Sequence, residues 1–286
     1  MSLFNKEPPF NFLGLENQDP KKAKVWILPV PFEATVFNLV GTREGPKAII
    51  EASRNIELFD EDLKKDISKI GIFTLPYLAL TKNSPREAVF QIQRATEKIL
   101  KSKKFPVILG GEHTTTLGVI LAFKKFFKDF SILQFDAHSD LRDEFEGTKY
   151  HHATFARRII DDLKIKVCQV GIRAISKEEF EFINKTKKVK VFYKRNYEKR
   201  EILDFLTKKV YLTIDLDVLD PSIMPAVGTP EPEGLFFENV LEIVKEVKKE
   251  KEILGFDVVE LCPIPGLFYP NYLAAKLISK ILGIIF

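Results

Sequence analysis

Ser131-Ile-Leu-Gln-Phe135 runs directly into Asp136-Ala-His138-Ser-Asp140, and these ten residues decide how the rest of the chain is read. A short, mostly apolar run is the pattern of a strand covered on both faces. The residues after it put a carboxylate, an imidazole and a second carboxylate at alternate positions. In extended backbone such positions project to one side, so the three can converge on one point. Thr213-Ile-Asp215-Leu-Asp217-Val-Leu-Asp220-Pro221 repeats the arrangement: a strand arrives, two carboxylates share a face, and a turn follows. Asp220, next to Pro221, reads as the residue of that turn or as a support behind the ligands. Two such stretches predict a metal site at the ends of neighbouring strands.

On either side the pattern alternates. Apolar runs predict strands over 25–30, 105–109, 131–136, 165–170, 189–193, 210–217 and 253–260. Helical spacing fills 46–56, 114–127, 150–163, 177–184, 198–208, 236–249 and 272–282. Ser84-Pro85-Arg86-Glu87 is a capping box with proline at the first helical position, opening a further helix to about Lys101. Alternating strands and helices mean βαβ units. The expected fold is α/β, a three-layer α/β/α sandwich with a mainly parallel sheet, as a single domain over 1–286. Ligands of such sheets bind beyond the carboxyl ends of the strands. Each unusual polar cluster falls at such an end: His113, Asp136 to Asp140, Asp215 to Asp217, and Glu260.

Composition narrows the classes. A net charge of +4 spread over 286 residues gives no concentrated basic surface for nucleic acid. The densest basic run, 187–200, flanks a short apolar strand and reads as a solvated sheet edge. The most apolar tail, 277–286, contains Lys280 and is too short to span a bilayer. It is expected to bury against the body or a neighbouring subunit. Cys168 and Cys262 lie in apolar segments far apart, which fits a reducing compartment and no disulfide. The first ten residues lack a basic stretch followed by an apolar core, so no signal peptide is expected and the cytoplasm is the expected location.

All four histidines, His113, His138, His151 and His152, fall between residues 113 and 152. The candidate metal ligands are His113, Asp136, His138, Asp140, Asp215 and Asp217. No cysteine belongs to the set, and an oxygen-rich shell with some imidazole suits Mn2+ rather than structural zinc. Six ligands are too many for one ion with an open position. Two ions sharing Asp136 and Asp215 use them economically. Four carboxylates balance two divalent ions, and with a bridging hydroxide the cluster is left near −1, a charge that welcomes a cationic substrate.

With these motifs assembled, the chain resembles the ureohydrolase family of arginases and agmatinases. Gly110-Gly-Glu-His113, Asp136-Ala-His-Ser-Asp140 and Asp215-Leu-Asp-Val-Leu-Asp-Pro221, with Pro225 and Gly228-Thr-Pro230, carry the resemblance. It extends from Gly41-Thr-Arg-Glu-Gly-Pro46 to Leu273-Ala-Ala-Lys276, and the segment 140–155 looks agmatinase-like. Ala174 stands where arginases typically have an Asp that contacts the substrate's α-amino group.

The resemblance implies hydrolysis of a guanidinium to urea and an amine by a hydroxide bridging two Mn2+ ions, with agmatine giving putrescine. It implies that Asp140 holds the hydroxide, that Glu260 binds the guanidinium, and that His152 shuttles the proton, with His151 the competitor for that last role. It also implies a homotrimer or homohexamer with no nucleic-acid or membrane partner. N1-aminopropylagmatine, a guanidino acid, arginine or formiminoglutamate are alternative substrates. A single-zinc deacetylase-like hydrolase is the alternative chemistry.

Four departures bear on the site. Glu112 replaces the commoner Asp, Glu233 replaces a frequent Gly, and 263–270 lacks an Asp usual beyond the proline. Asp143, Glu144 and Glu146 form an acidic loop that could meet a distal amine.

Overall fold

The computed structural model describes residues 7–36, 39–81 and 83–286. Its strands are β1 (Val25–Val30), β2 (Phe59–Asp60), β3 (Lys65–Asp66), β4 (Ile72–Thr74), β5 (Phe105–Gly110), β6 (Ser131–Phe135), β7 (Lys166–Ile172), β8 (Val189–Tyr193), β9 (Lys209–Asp215) and β10 (Glu252–Val259). The helices are α1 (Gly45–Ser53), α2 (Pro85–Lys101), α3 (Thr114–Phe126), α4 (Phe155–Asp161), α5 (Lys177–Lys185), α6 (Lys199–Phe205), α7 (Phe237–Glu250) and α8 (Tyr269–Ile285). Eight strands form one sheet in the order β4-β1-β5-β10-β9-β6-β7-β8, and each of its ladders is parallel.

Alternation along the strands builds the three layers. Val107 and Leu109 of β5, Leu133 and Phe135 of β6, and Leu212 and Ile214 of β9 face one core with α1, α6, α7 and α8. Ile108, Ile132 and Tyr211 face the other, with α2, α3 and α4. Both faces are therefore covered, which is why these strands read as continuous apolar runs.

The chain passes from β5 to β6 leaving a gap of two strands, which β9 and β10 later fill. This gap is a switch point of the kind at which parallel sheets bind ligands. The four central strands also stop in register, with Leu109 beside Val258, Val258 beside Ile214, and Ile214 beside Phe135. Whatever follows these residues meets at one place.

Several boundaries differ from the sequence reading. The short strands β2, β3 and β4 were not expected, because two or three residues carry no readable period. The helix expected over 150–163 shrinks to α4 behind a 3-10 turn at His152–Thr154, since His151 serves as that turn's cap. Ser84 accepts from the Glu87 amide and starts α2 as expected. The basic run 187–200 borders β8, the sheet edge. The apolar tail packs into its own chain, with Leu277, Ile278, Ile281 and Leu282 in the core and Phe286 edge-on to Phe105 at 5.3 Å.

Lys280, buried in that tail, reaches Asp60, Glu61 and Asp62 at 3.1, 3.2 and 2.7 Å. Pairing of this kind is the condition on which a charge is tolerated inside a protein. Both cysteines are free. No helix of the described residues is long and apolar enough to cross a membrane.

Gly111 sits where β5 meets the loop after β1, and a methyl group there would lie 2.0 Å from the Phe32 carbonyl oxygen. Gly111→Ala is therefore expected to cost about 1–3 kcal/mol of unfolding free energy by overpacking. Gly266→Ala, at positive φ but with open space around it, should cost about 1 kcal/mol. Urea denaturation of the two variants checks the difference.

Candidate metal centre and active site

Four strand ends supply the site. His113 follows β5 and precedes α3, and Asp136 directly follows β6. Asp215 closes β9, with Asp217 in the 3-10 turn after it, and Glu260 follows β10. All are buried except Glu260, which is half-buried at the cavity wall. His113 Nδ1 lies 3.1 Å from Asp136 Oδ2, 3.1 Å from Asp215 Oδ2 and 3.5 Å from Asp140 Oδ2. His138 Nδ1 lies 2.8 Å from Asp217 Oδ2.

Among the described residues two sets place their donor atoms within 4.8 Å of one another: His113, Asp136 and Asp140, and Asp136, His138 and Asp217. Asp136 belongs to both. Asp215 lies beside them, its Oδ1 accepting the Asp217 amide at 2.9 Å and its Oδ2 facing His113 at 3.1 Å. The sequence reading had two ions share Asp136 and Asp215, and Asp215 touches a residue of each set.

A chain of hydrogen bonds decides how His113 presents itself. Thr213 Oγ1 donates to Asp257 at 2.5 Å, so it accepts from His113 Nε2, 2.8 Å away. Thr116 and Tyr211 also donate to Asp257, at 3.0 and 2.9 Å. With Nε2 carrying the proton, the lone pair of a neutral His113 sits on Nδ1, which is buried without a hydrogen bond. It points at three carboxylate oxygens. Acceptors facing acceptors in a buried space require a proton or a cation between them, and the donor set fits a divalent cation. This is the arrangement by which second partners fix the tautomer of a metal-binding histidine.

The other ligands are held as firmly. Gln134 donates to Asp136 at 2.8 Å and accepts from Gln169 at 2.9 Å. Asp217 accepts the Ala137 amide at 2.9 Å, and Asp136 accepts the His138 amide at 2.6 Å. Asp140 is left-handed, with φ +54. The residues beside it are tied to Glu179, which accepts from Ser139 and from the Leu141 amide at 2.7 and 2.9 Å. Thr213, Asp257, Gln134 and Glu179 were not assigned from sequence. Asp257 and Gln134 did leave a signal, as polar residues inside otherwise apolar strands.

The electrostatics follow from crowding. Burial, and then the neighbouring aspartates, raises the pKa of Asp136, Asp140 and Asp215. Burial alone would raise Asp217 too, but the charge of His138 pulls it down to about 2. Burial works against a charged His113 and His138, yet Asp136 and Asp217 overcome it and lift them to about 9 and about 10. Glu260 accepts the His113 amide at 2.6 Å, and burial followed by Glu112 pushes it up to about 8. Glu260 also holds φ +66, a strained value for a residue with a side chain.

A cavity of about 370 Å3 opens over the cluster. His138, Asp140, Asp215, Asp217 and Glu260 line it, with His152, Ala174 and Glu231. His152 stands in the wall with Nδ1 3.2 Å from Thr35 Oγ1, and burial, with His151 next, pushes its pKa down to about 3. His151 does not line the cavity. Its Nδ1 accepts the Ala153 amide at 3.1 Å and its Nε2 lies 3.7 Å from Glu146.

The four departures resolve in different ways. Glu112 accepts the Ala34 and Thr35 amides and the Thr35 and Thr114 hydroxyls at 2.6–2.7 Å, so it fixes the loop that carries Thr35. Glu233 takes φ +65, the conformation a glycine would adopt freely, and its carboxylate pairs with Lys194. The segment 263–270 lines a separate surface cavity. In the acidic loop Asp143 pairs with Arg158 and Glu146 lies 3.7 Å from His151, and Asp143, Glu144 and Glu146 are not among the residues that line the cavity. Asp220 is a turn residue, accepting the Ser222 and Gly234 amides at 3.1 and 3.0 Å.

A family model described as the arginase family matches residues 23–283, nearly the whole chain. The chain belongs to the arginase family. Within it, an N(1)-aminopropylagmatine ureohydrolase of Synechocystis is 36% identical over 273 residues, covering 91% of this chain and 89% of the relative. An agmatinase of Pyrococcus horikoshii is 32% identical, covering 95% of each. Among solved structures, the agmatine ureohydrolase of Thermoplasma volcanium superposes with a TM-score of 0.87 at 28% identity, covering 99% of this chain and 95% of that one. The chain is thus an arginase-family ureohydrolase acting on guanidino substrates.

Without a cation, His113 and His138 take up their proton more readily folded than unfolded, where a histidine titrates near 6.5. The stability gained is complete below about 6.5 and lost as pH rises through about 9 to 10. Chelator-treated protein is expected to lose melting temperature across that window. Saturating Mn2+, which takes the place of the protons, should remove most of the loss. Thermal melts from pH 6 to 10.5, with and without the ion, measure it.

Proposed function

We propose that this chain hydrolyses agmatine to putrescine and urea with two Mn2+ ions, as a cytoplasmic homotrimer or homohexamer. The observation that carries the proposal is Glu260: a carboxylate beside the metal-binding sets, held on the His113 amide and open to the same cavity. Two overlapping sets joined at Asp136 favour two ions over one zinc. His113, Asp136, His138, Asp140, Asp215 and Asp217 would hold the Mn2+, which would supply the Lewis acidity that brings a water's pKa near neutrality.

The chain's own residues do the rest. Glu260 pairs with the planar guanidinium through both oxygens and presents its carbon to the cluster. Substrate charge also keeps Glu260 ionised despite its raised pKa. Asp140 orients the attacking oxygen by accepting its hydrogen bond. His152, on the cavity wall, hands a proton to the departing amine. Ala174 leaves the wall without a carboxylate for an α-amino group, which favours agmatine over arginine.

A second reading, the same reaction on N1-aminopropylagmatine, has its own support. The Synechocystis relative of that name is more similar to this chain, at 36% identity, than the Pyrococcus agmatinase at 32%. A cavity of about 370 Å3 leaves room for the longer amine.

Urea release from agmatine, N1-aminopropylagmatine, 4-guanidinobutyrate and arginine with Mn2+ present tests the proposal. Agmatine is expected to be hydrolysed and arginine spared. Glu260→Gln should lower kcat/KM about 10³-fold by losing the charged fork. His152→Asn should lower kcat about 10²-fold with little change in KM. Robust hydrolysis of arginine with none of agmatine would contradict it.

A further inference from the structure

We propose that Glu231 is the residue that selects an amine-bearing substrate, its carboxylate receiving the distal ammonium of the guanidine held at Glu260. The inference rests on the proposed guanidine hydrolysis and names the contact that reading leaves open.

Among the described residues six carboxylates line the cavity, and five already have work. Asp140, Asp215 and Asp217 belong to the metal-binding cluster. Glu260 accepts the His113 amide, and buried Glu179 accepts Ser139, Leu141 and Ser176. Glu231 differs: its side chain is 37% exposed and its nearest ionic neighbour is His138 Nε2 at 3.9 Å, too far for a hydrogen bond. It is a negative charge at the cavity wall with solvent access.

Its backbone is unusually fixed for such a residue. Pro230 and Pro232 flank it, each locking its own φ and restricting the residue before it. Arg173 then clamps its carbonyl oxygen, donating from Nε at 3.2 Å and from Nη2 at 2.9 Å. The same guanidinium donates to the carbonyls of Gly171, Asp217, Val218 and Leu219. The clamp ties Glu231 to the turn that carries Asp217, and its donors go to carbonyls, leaving the Glu231 carboxylate for another cation. A charge fixed in advance costs little ordering on binding.

The spacing suits a short diamine-like chain. A Cβ on Gly228 would lie 4.0 Å from Glu260 Oε2, so the loop starts against the guanidinium carboxylate. Three residues of extended chain then carry it at most about 10 Å away to Glu231. Arg142, over the Phe145 ring at 4.7 Å, is the cation of the same cavity and would favour a carboxylate tail instead. The charge of the tail therefore distinguishes the two walls.

The test compares agmatine with n-butylguanidine, which has the same chain without the amine, and with 4-guanidinobutyrate, using Mn2+-loaded protein. The wild type is expected to prefer agmatine over butylguanidine about ten- to hundred-fold in kcat/KM, the range for a hydrogen bond to a charged group. Glu231→Gln should erase that preference through KM for agmatine, leave butylguanidine unchanged, and Glu231→Asp should restore part of it. Calorimetric binding of agmatine and butylguanidine reads the same contact without turnover.

Equal losses on both substrates would overturn the proposal and assign Glu231 to positioning His138. A wild-type preference for 4-guanidinobutyrate would overturn it in favour of Arg142. Urea from no guanidine at all would instead bring down the proposed function, and this proposal with it.

Discussion

Burial of several carboxylates at one point is the constraint on which the rest of this structure depends. Asp136, Asp140, Asp215 and Asp217 crowd around two imidazoles beneath a cavity. Like charges in a poorly polarisable interior cannot all stay ionised without compensation. Protons on His113 and His138 would supply it in one state and divalent ions in another, and the neighbouring aspartates raise both histidine pKa values against the effect of burial. The chemistry drawn from the site uses the same demand, since the field that holds metal also attracts a guanidinium.

The scaffold meets this constraint by backbone rather than by flexible side chains. Four parallel strands stop in register, so their next residues converge without long loops. Behind them lies a buried polar layer, with Asp257 setting the His113 tautomer through Thr213 and Gln134 holding Asp136. Such a layer is stable only when each member is satisfied, and satisfied it holds ligand geometry to a fraction of an ångström. Asp140 and Glu260 are two of nine non-glycine residues with positive φ among the described residues, and they are the two that line the cavity over the cluster.

Much of this was legible in the sequence because it follows from period and spacing. Alternate carboxylates after a buried run place Asp136, His138 and Asp140 at a strand end, and the order of helices and strands gives the sandwich. What was hidden depends on long-range packing. Thr213 and Asp257 belong to neighbouring strands, and only the sheet order reveals that they serve His113. Asp215 was read as a metal ligand from its place after a strand, but its bond to the Asp217 amide and its approach to His113 appear only in the folded chain. The acidic loop at Asp143, Glu144 and Glu146 looked like a contact for a distal amine, yet Arg158 and His151 draw its charges aside. Glu231 attracted no attention in sequence, because its importance comes from Arg173, fifty-eight residues earlier.

The proposed chemistry requires two cations that share the Asp136 carboxylate. A manganese-edge anomalous difference map from Mn2+-loaded crystals tests it most directly. Two peaks are expected, one among His113, Asp136 and Asp140 and one among Asp136, His138 and Asp217. A single peak at full loading, or peaks away from Asp136, would rule out a two-ion site joined by that carboxylate.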